Sequence, residues 1–289
     1  MTKAKDLRNL LKGEKIIMAP GAYDAWSARV IEMYGFPAVY MTGYGVSASV
    51  LGRPDIGLIS FQEMVTAARN ICNCTTVPVI ADADNGYGSS LNVVRTVSEY
   101  EKAGVAGIQL EDQVMPKRCG HMEGKQLIPK EEMIAKVRAA VFARKDPDTV
   151  IIARTDAIAV NGFDDAIDRA VAYKEAGADV IFVEALQTQE QVQKAESLVG
   201  APLMANMVEH GKTPLDTAEN LYKMGFKIAI YPVMPLYAAT KALTNVLEVL
   251  KVKESLINCM EYEVDFPTFN KMIGLAELRK LEKDFLCAK

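Results

Sequence analysis

Residues 170–185 read AVAYKEAGADVIFVEA, and the fold follows from how that stretch is punctuated. A helical pattern ends at Lys174 and Glu175, a glycine follows at 177, and then comes a nearly unbroken apolar run, VIFV. Glycine just past a helix end supplies the left-handed residue of a C-cap. An apolar run rich in Val, Ile and Leu suits a strand buried on both faces of a parallel sheet. The same grammar recurs in VIEMYGFPAVYMTG (30–43), VSEYEKAGVAGIQLED (97–112) and AENLYKMGFKIAIYP (218–232). Four further strands are expected in KIIMAP (15–20), VPVIADAD (77–84), TVIIARTDA (149–157) and PLMANM (202–207). Helical segments separate them, and two open on a capping residue: Ser60 with Glu63, and Thr188 with Gln191 three places on. Eight strands alternating with helices predict an α/β chain of the (β/α)8 TIM-barrel type. A doubly wound sheet would want a glycine-rich phosphate turn after the first strand, and PGAYDAWSA is not one. The expectation is a single barrel domain over 1–289, capped by an N-terminal helix at 3–12 and extended by a helical segment at 241–289.

Composition removes several function classes. Half of the 289 residues are hydrophobic, enough for one large core. A net charge of −4 and a pI near 5.5 give no footprint for nucleic acid or an anionic membrane. No apolar run approaches the ~18 residues of a membrane helix, and the polar start MTKAKDLRNLLKGEK is not the pattern of a signal peptide. The five cysteines are odd in number and unevenly spaced, as expected in a reducing cytoplasm. Cys72 and Cys74 form a C-x-C with no second pair, and are expected to pack. Only His121 and His210 are present, so a histidine-rich metal site is excluded.

A barrel places its chemistry at the C-terminal ends of its strands. Those ends carry Tyr40 and Thr42, Asp82 and Asp84, Glu111 and Asp112, Arg154 and Asp156, Glu184, and Asn206. Any one of them could be an ordinary helix cap. Together they put too many carboxylates around one mouth, where they would repel one another unless a cation neutralised them. Oxygen ligands without His or Cys indicate a hard ion, best Mg²⁺, with the choice against Mn²⁺ left open. The loop after strand 4 contains KRCGH (117–121), a thiol set among cations and glycines. Nearby positive charge makes a thiol available for chemistry, and a mobile loop over such a mouth can serve as a lid. Cys119 is therefore expected to act in catalysis.

ADADNGYG at 81–88, IQLED at 108–112 and KRCGH at 117–121 resemble the isocitrate lyase and phosphoenolpyruvate mutase superfamily. ARTDA (153–157), FVEA (182–185) and the stretch around 28–45 extend the resemblance over nearly the whole chain. It implies a modified (β/α)8 barrel, a homotetramer built as a dimer of dimers, and a C-terminal helix exchanged between paired subunits. It also implies Mg²⁺ held by Asp82 and Asp84, directly or through water, with Asp55 and Glu111 assisting. Substrate contacts would come from Thr42, Gly43, Tyr44, Cys119, Gly120, His121, Arg154, Glu184 and Asn206.

Within such a superfamily the thiol favours lyases over phosphonate mutases. A lyase splits the C2–C3 bond of a 2-hydroxy dicarboxylate, and the carbanion that forms needs a proton, which Cys119 can donate. Mg²⁺ lowers the pKa of the 2-hydroxyl, Tyr40 is the expected base, and Arg154 clamps a carboxylate. Methylisocitrate lyases, which this chain resembles, grip a third carboxylate with two arginines. Here Tyr237 and Phe269 fall in those places. A buried carboxylate without its partner costs roughly 3–5 kcal/mol, so a methyl or hydrogen is expected there instead. The substrate expected is 2,3-dimethylmalate, split to pyruvate and propionate. The alternatives are methylisocitrate cleavage to pyruvate and succinate, phosphonate mutation, and oxaloacetate hydrolysis.

Overall fold

The computed structural model describes residues 2–118, 120 and 124–287. Eight parallel strands close into a barrel in sequence order: β1 (Ile17–Ala22), β2 (Val39–Met41), β3 (Val79–Asp82), β4 (Gly107–Glu111), β5 (Val150–Thr155), β6 (Val180–Val183), β7 (Leu203–Asn206) and β8 (Phe226–Tyr231). Closure is made where Ile17 of β1 pairs with Ile228 of β8. Helices fill the connections: α1 (Lys3–Leu11), α2 (Ala25–Met33), α3 (Gly43–Leu51), α4 (Phe61–Cys74), α5 (Ser90–Ala103), α6 (Lys130–Ala143), α7 (Phe163–Glu175), α8 (Gln189–Val199) and α9 (Ala218–Lys223). The chain divides into two compact units, Met1–Leu236 and Tyr237–Lys289. The second contains most of α10 (Met234–Lys253), then α11 (Phe266–Met272) and α12 (Leu275–Cys287). No helix among the described residues is long and apolar enough to cross a membrane.

The repeated glycine does what its position requires. Gly35, Gly104, Gly177 and Gly225, one in each copy of the pattern, all adopt positive φ between a helix and the strand that follows. The strands that follow are buried almost throughout. Ser60 and Glu63 form the reciprocal cap expected of them. Thr188 accepts from the Gln191 amide, but the Gln191 side chain turns to the backbone of Gln187.

The barrel interior is filled by Ile17, Ile80, Ile152, Val180, Phe182, Met204 and Ile228, joined from below by Ala4 and Leu7 of α1. That helix plugs the N-terminal end, held by an Arg8–Asp179 ion pair of 2.8 Å and by Lys3 donating to the carbonyls of Cys72 and Thr75. Strand β1 runs two residues past its expected end, because Gly21 and Ala22 pair with Tyr40 and Met41. A Cβ at Gly21 would lie 2.2 Å from the Pro232 carbonyl oxygen, so the residue must be glycine for β1 and the end of β8 to meet. Cys72 packs in the core as expected, and burial pushes its thiol up to about 12.

Candidate active site

At the C-terminal mouth of the barrel lies a cavity of about 50 Å³. Its lining includes Tyr40, Thr42, Tyr44, Asp55, Asp82 and Glu111, together with Lys117, Gly120, Arg154 and Asn206. The structure thus gathers residues expected from strand ends far apart in sequence. Thr42 has a second duty: its hydroxyl accepts from the Gly45 amide at 3.3 Å and caps α3, a helix not anticipated from sequence. Gly43 is there for space, since a Cβ would lie 2.6 Å from Asp82 Oδ2. Cys119 and His121 lie outside the described residues. Tyr237 and Phe269 belong to the C-terminal unit and are exposed in it.

The acids are organised around one ammonium. Lys117 is 3% exposed, with Nζ 2.6 Å from Asp55 Oδ2 and 2.7 Å from Asp84 Oδ1. Burial works against its charge, but Asp84, Asp82, Glu111 and Asp55 outweigh it and hold the lysine well above its ordinary pKa. The sequence shows Lys117 only as positive charge beside the thiol and does not anticipate this. Asp84 adopts φ +46°, the left-handed region, and its amide donates to Asp82 Oδ1 at 3.0 Å. An aspartate tolerates that conformation better than most side chains, and such strain collects at functional sites. Burial raises Asp82 to about 6, with Asp84 and Asp55 adding to the rise, and burial also pushes Glu111 well up.

Among the described residues, no three carboxylate, imidazole or thiol groups converge closely enough to hold a metal by themselves. Yet Asp55 Oδ1, Asp84 Oδ2 and Glu111 Oε1 are buried without a hydrogen-bond partner. Unpartnered buried carboxylate oxygens are costly. Mg²⁺ takes one or two carboxylates and keeps several waters, and those waters would meet the remaining acids. The donor set therefore fits a hydrated hard ion better than a fully protein-made cage.

Arg154 provides the positive side. Its Nε and Nη2 each donate to Asp156 at 2.9 Å, and it stands 3.5 Å from Glu111 Oε2 and 3.8 Å from Glu184 Oε2. Asn206 Nδ2 in turn donates to Glu184 Oε2 at 3.1 Å. Against its own burial, Arg154 together with Lys125 holds Asp156 down at about 2. Tyr40 donates to Gln109 Oε1 at 3.1 Å, and burial, reinforced by Asp82, raises its phenol well above 10. Among the residues present this argues against the base role expected for it and for a role as hydrogen-bond donor.

Behind β4 and β5, Asp112 is the hub that fixes both strand ends. Its Oδ1 accepts from the Asp156 amide at 2.9 Å, and its Oδ2 accepts from Thr155 (2.7 Å), Tyr173 (2.8 Å) and Arg169 (3.3 Å). Replacing Asp112 by alanine would strand these donors in a dry site. A loss of about 3–5 kcal/mol is expected by urea unfolding, and a loss below about 1 kcal/mol would show that water re-satisfies them.

Comparison with known proteins agrees with this geometry. Residues 7–251 match the model of the phosphoenolpyruvate phosphomutase family. The chain is 50% identical over 285 residues to the 2,3-dimethylmalate lyase of Eubacterium barkeri, covering 99% of each chain. It is 44% identical over 278 residues to a 2-methylisocitrate lyase of Aeropyrum pernix, covering 96% of this chain and 89% of that one. A solved structure of oxaloacetate acetylhydrolase with the inhibitor 3,3-difluorooxalacetate superposes with a TM-score of 0.93 at 37% identity, over 98% of this chain and 97% of that one.

Proposed function

The chain belongs to the isocitrate lyase and phosphoenolpyruvate mutase superfamily, and from that membership we propose that it splits 2,3-dimethylmalate into pyruvate and propionate. The observation that carries the choice of substrate is the full-length identity of 50% to a 2,3-dimethylmalate lyase. The cavity supports it by its apolar part, where Val208, Ile230, Pro232 and Val233 supply some of the lining. Methylisocitrate differs by a carboxymethyl arm in place of a methyl, which adds both bulk and a charge.

In this reading Asp82 and Asp84 would hold Mg²⁺, directly or through water, with Asp55 and Glu111 assisting. When bound, Mg²⁺ acidifies the substrate hydroxyl and neutralises the carboxylate beside it. Arg154 binds a substrate carboxylate, and Tyr40, keeping its own proton, turns its hydroxyl from Gln109 to donate to the 2-oxygen. Thr42, Gly43 and Tyr44 line one side, and Glu184 and Asn206 steady the other. The 2-hydroxyl passes its proton to a carboxylate of the acid cluster, best Glu111, whose Oε1 is buried without a partner. It becomes a carbonyl as the C2–C3 bond breaks and its electron pair passes to C3, delocalised into the adjacent carboxylate. Cys119 donates the proton that completes propionate, with Gly120 and His121 beside it in the loop. The same reading takes the protein as a cytoplasmic homotetramer, with Tyr237 and Phe269 at the sequence positions that carry the third-carboxylate arginines in methylisocitrate lyases. Exposed Leu278, Leu281, Phe285 and Leu286 on α12 give helix exchange a physical motive.

The test is pyruvate release coupled to lactate dehydrogenase and NADH, with Mg²⁺, Mn²⁺ or a chelator. Racemic 2,3-dimethylmalate is expected to turn over with Mg²⁺ and to stop with the chelator. Methylisocitrate is expected to show kcat/KM lower by roughly 10²-fold or more, the value of one unpaired buried carboxylate. Changing both Tyr237 and Phe269 to arginine should narrow that gap. Equal rates on the two substrates would transfer the reading to methylisocitrate, which the identity to the Aeropyrum enzyme favours. Oxalate and acetate from oxaloacetate would transfer it to the hydrolase.

A further inference from the structure

Lys125 has no part in the chemistry described so far, yet its side chain is 1% exposed and its ammonium points into the site. Nζ lies 3.1 Å from Asp156 Oδ1 and donates to the carbonyl oxygen of Gly120. A buried ammonium persists only where its charge and donors are used, and both partners here belong to the active-site mouth. The loop that carries Lys125 is pinned at its base, where Val114 donates to the Gln126 carbonyl, Ile128 donates to that of Asp112, and Gln113 pairs with Leu127. The ammonium is thus delivered from a fixed root.

Arg154 has a charge problem that Lys125 solves. Its fork is engaged by Asp156 through two bonds of 2.9 Å, so the pair alone presents no net charge to a substrate carboxylate. Glu111 and Glu184 stand close by and make matters worse. Adding Lys125 to Asp156 leaves the trio with one positive charge. It also joins the trio to the loop: a Cβ at Gly120 would lie 2.6 Å from Arg154 Nη2 and 2.8 Å from Glu184 Oε1, so this peptide rests directly on the clamp. We propose that Lys125 is a positioning residue that gives the Arg154–Asp156–Lys125 trio its positive charge and fixes the Gly120 peptide against it, and that the dicarboxylate site depends on it. The dicarboxylate rests on the function proposed above.

Three variants separate charge from tether: Lys125→Arg keeps the charge, Lys125→Gln keeps a donor without it, and Lys125→Met keeps neither. The probe is oxalate, the smallest dicarboxylate and suited to so small a cavity, titrated calorimetrically into the full-length protein with Mg²⁺. KM and kcat for 2,3-dimethylmalate are measured alongside. The Gln and Met variants are expected to bind oxalate at least 10-fold more weakly and to raise KM by a similar factor, with kcat falling less than KM rises. The Arg variant should stay within about 3-fold of the parent in both. A merely structural lysine would lower the melting temperature without ranking the variants by charge. If Lys125→Met does not fold, the Gln and Arg variants decide. No difference in oxalate binding between the parent and Lys125→Gln, including no binding by either, overturns the proposal, as does an Arg variant as impaired as Gln. Failure of the parent to cleave dimethylmalate while oxalate binding follows charge would overturn the substrate and leave Lys125 in its role.

Discussion

Replacing Cys119 by serine is expected to lower pyruvate release from 2,3-dimethylmalate by about 10²–10⁴-fold, the usual worth of a positioned general acid. Serine keeps the size and a hydroxyl, but its proton is far less acidic than that of a thiol, so a carbanion at C3 would wait for it. Oxalate affinity should remain within about 3-fold of the parent, because the carboxylate contacts come from Arg154 and the metal site. Cys119 lies outside the described residues, and the expectation rests on its sequence setting in the loop after β4, whose described residues Lys117 and Gly120 line the mouth. Lys117 spends its charge on Asp55 and Asp84, and the next residue, Gly120, packs on Arg154 and Glu184. A serine variant retaining more than a tenth of the parent rate would end the proton-donor assignment.

The fold could be read from sequence because its signals are local. A glycine with positive φ, a capping residue and an apolar run each act within a few residues, and Gly35, Gly104, Gly177 and Gly225 carry them four times over. The acids of the mouth were also legible, since the barrel puts strand ends together whatever the loops do. The pairings within the mouth were not. Lys117 meets Asp55 across 62 residues, and Arg169 meets Asp112 across 57. Nothing near Lys117 or Lys125 in the sequence distinguishes a buried ammonium from a solvated one, so neither could be assigned these pairings. Helix α3 was missed because GYGVSASVL has two glycines and a weak pattern, and Thr42 supplies its cap from a position that read only as a site residue. For Tyr40 the location was legible and the environment was not. The burial that keeps the phenol protonated comes from neighbours across the barrel, Ile80, Ile152 and Phe182 among them.

Changing Arg154 to lysine should cost about 10²–10³-fold in kcat/KM although the charge is kept, comparable with removing one donor aimed at developing charge. Arg154 uses the shape of its guanidinium three ways at once. Nε and Nη2 grip the two oxygens of Asp156 as a fork, its face lies 5.1 Å from the centre of the Phe182 ring, and the same two nitrogens stand 3.5 Å from Glu111 Oε2 and 3.8 Å from Glu184 Oε2. A lysine is a point charge on a flexible stem and can satisfy one of these at a time. Asp156 would then keep Lys125 and the Asp112-anchored amide as partners, so the barrel should fold and melt close to the parent. The deficit should therefore appear in catalysis and not in stability, which a thermal melt beside the pyruvate assay would show. The contrast with Lys125 sharpens the test. At 125 the demand is for one buried charge and two single bonds, which arginine can meet; at 154 it is for a planar fork, which lysine cannot. If Arg154→Lys kept activity within 10-fold, orientation would not be what Arg154 supplies. The alignment of Arg154 by Asp156 would then be a feature of folding and not of turnover.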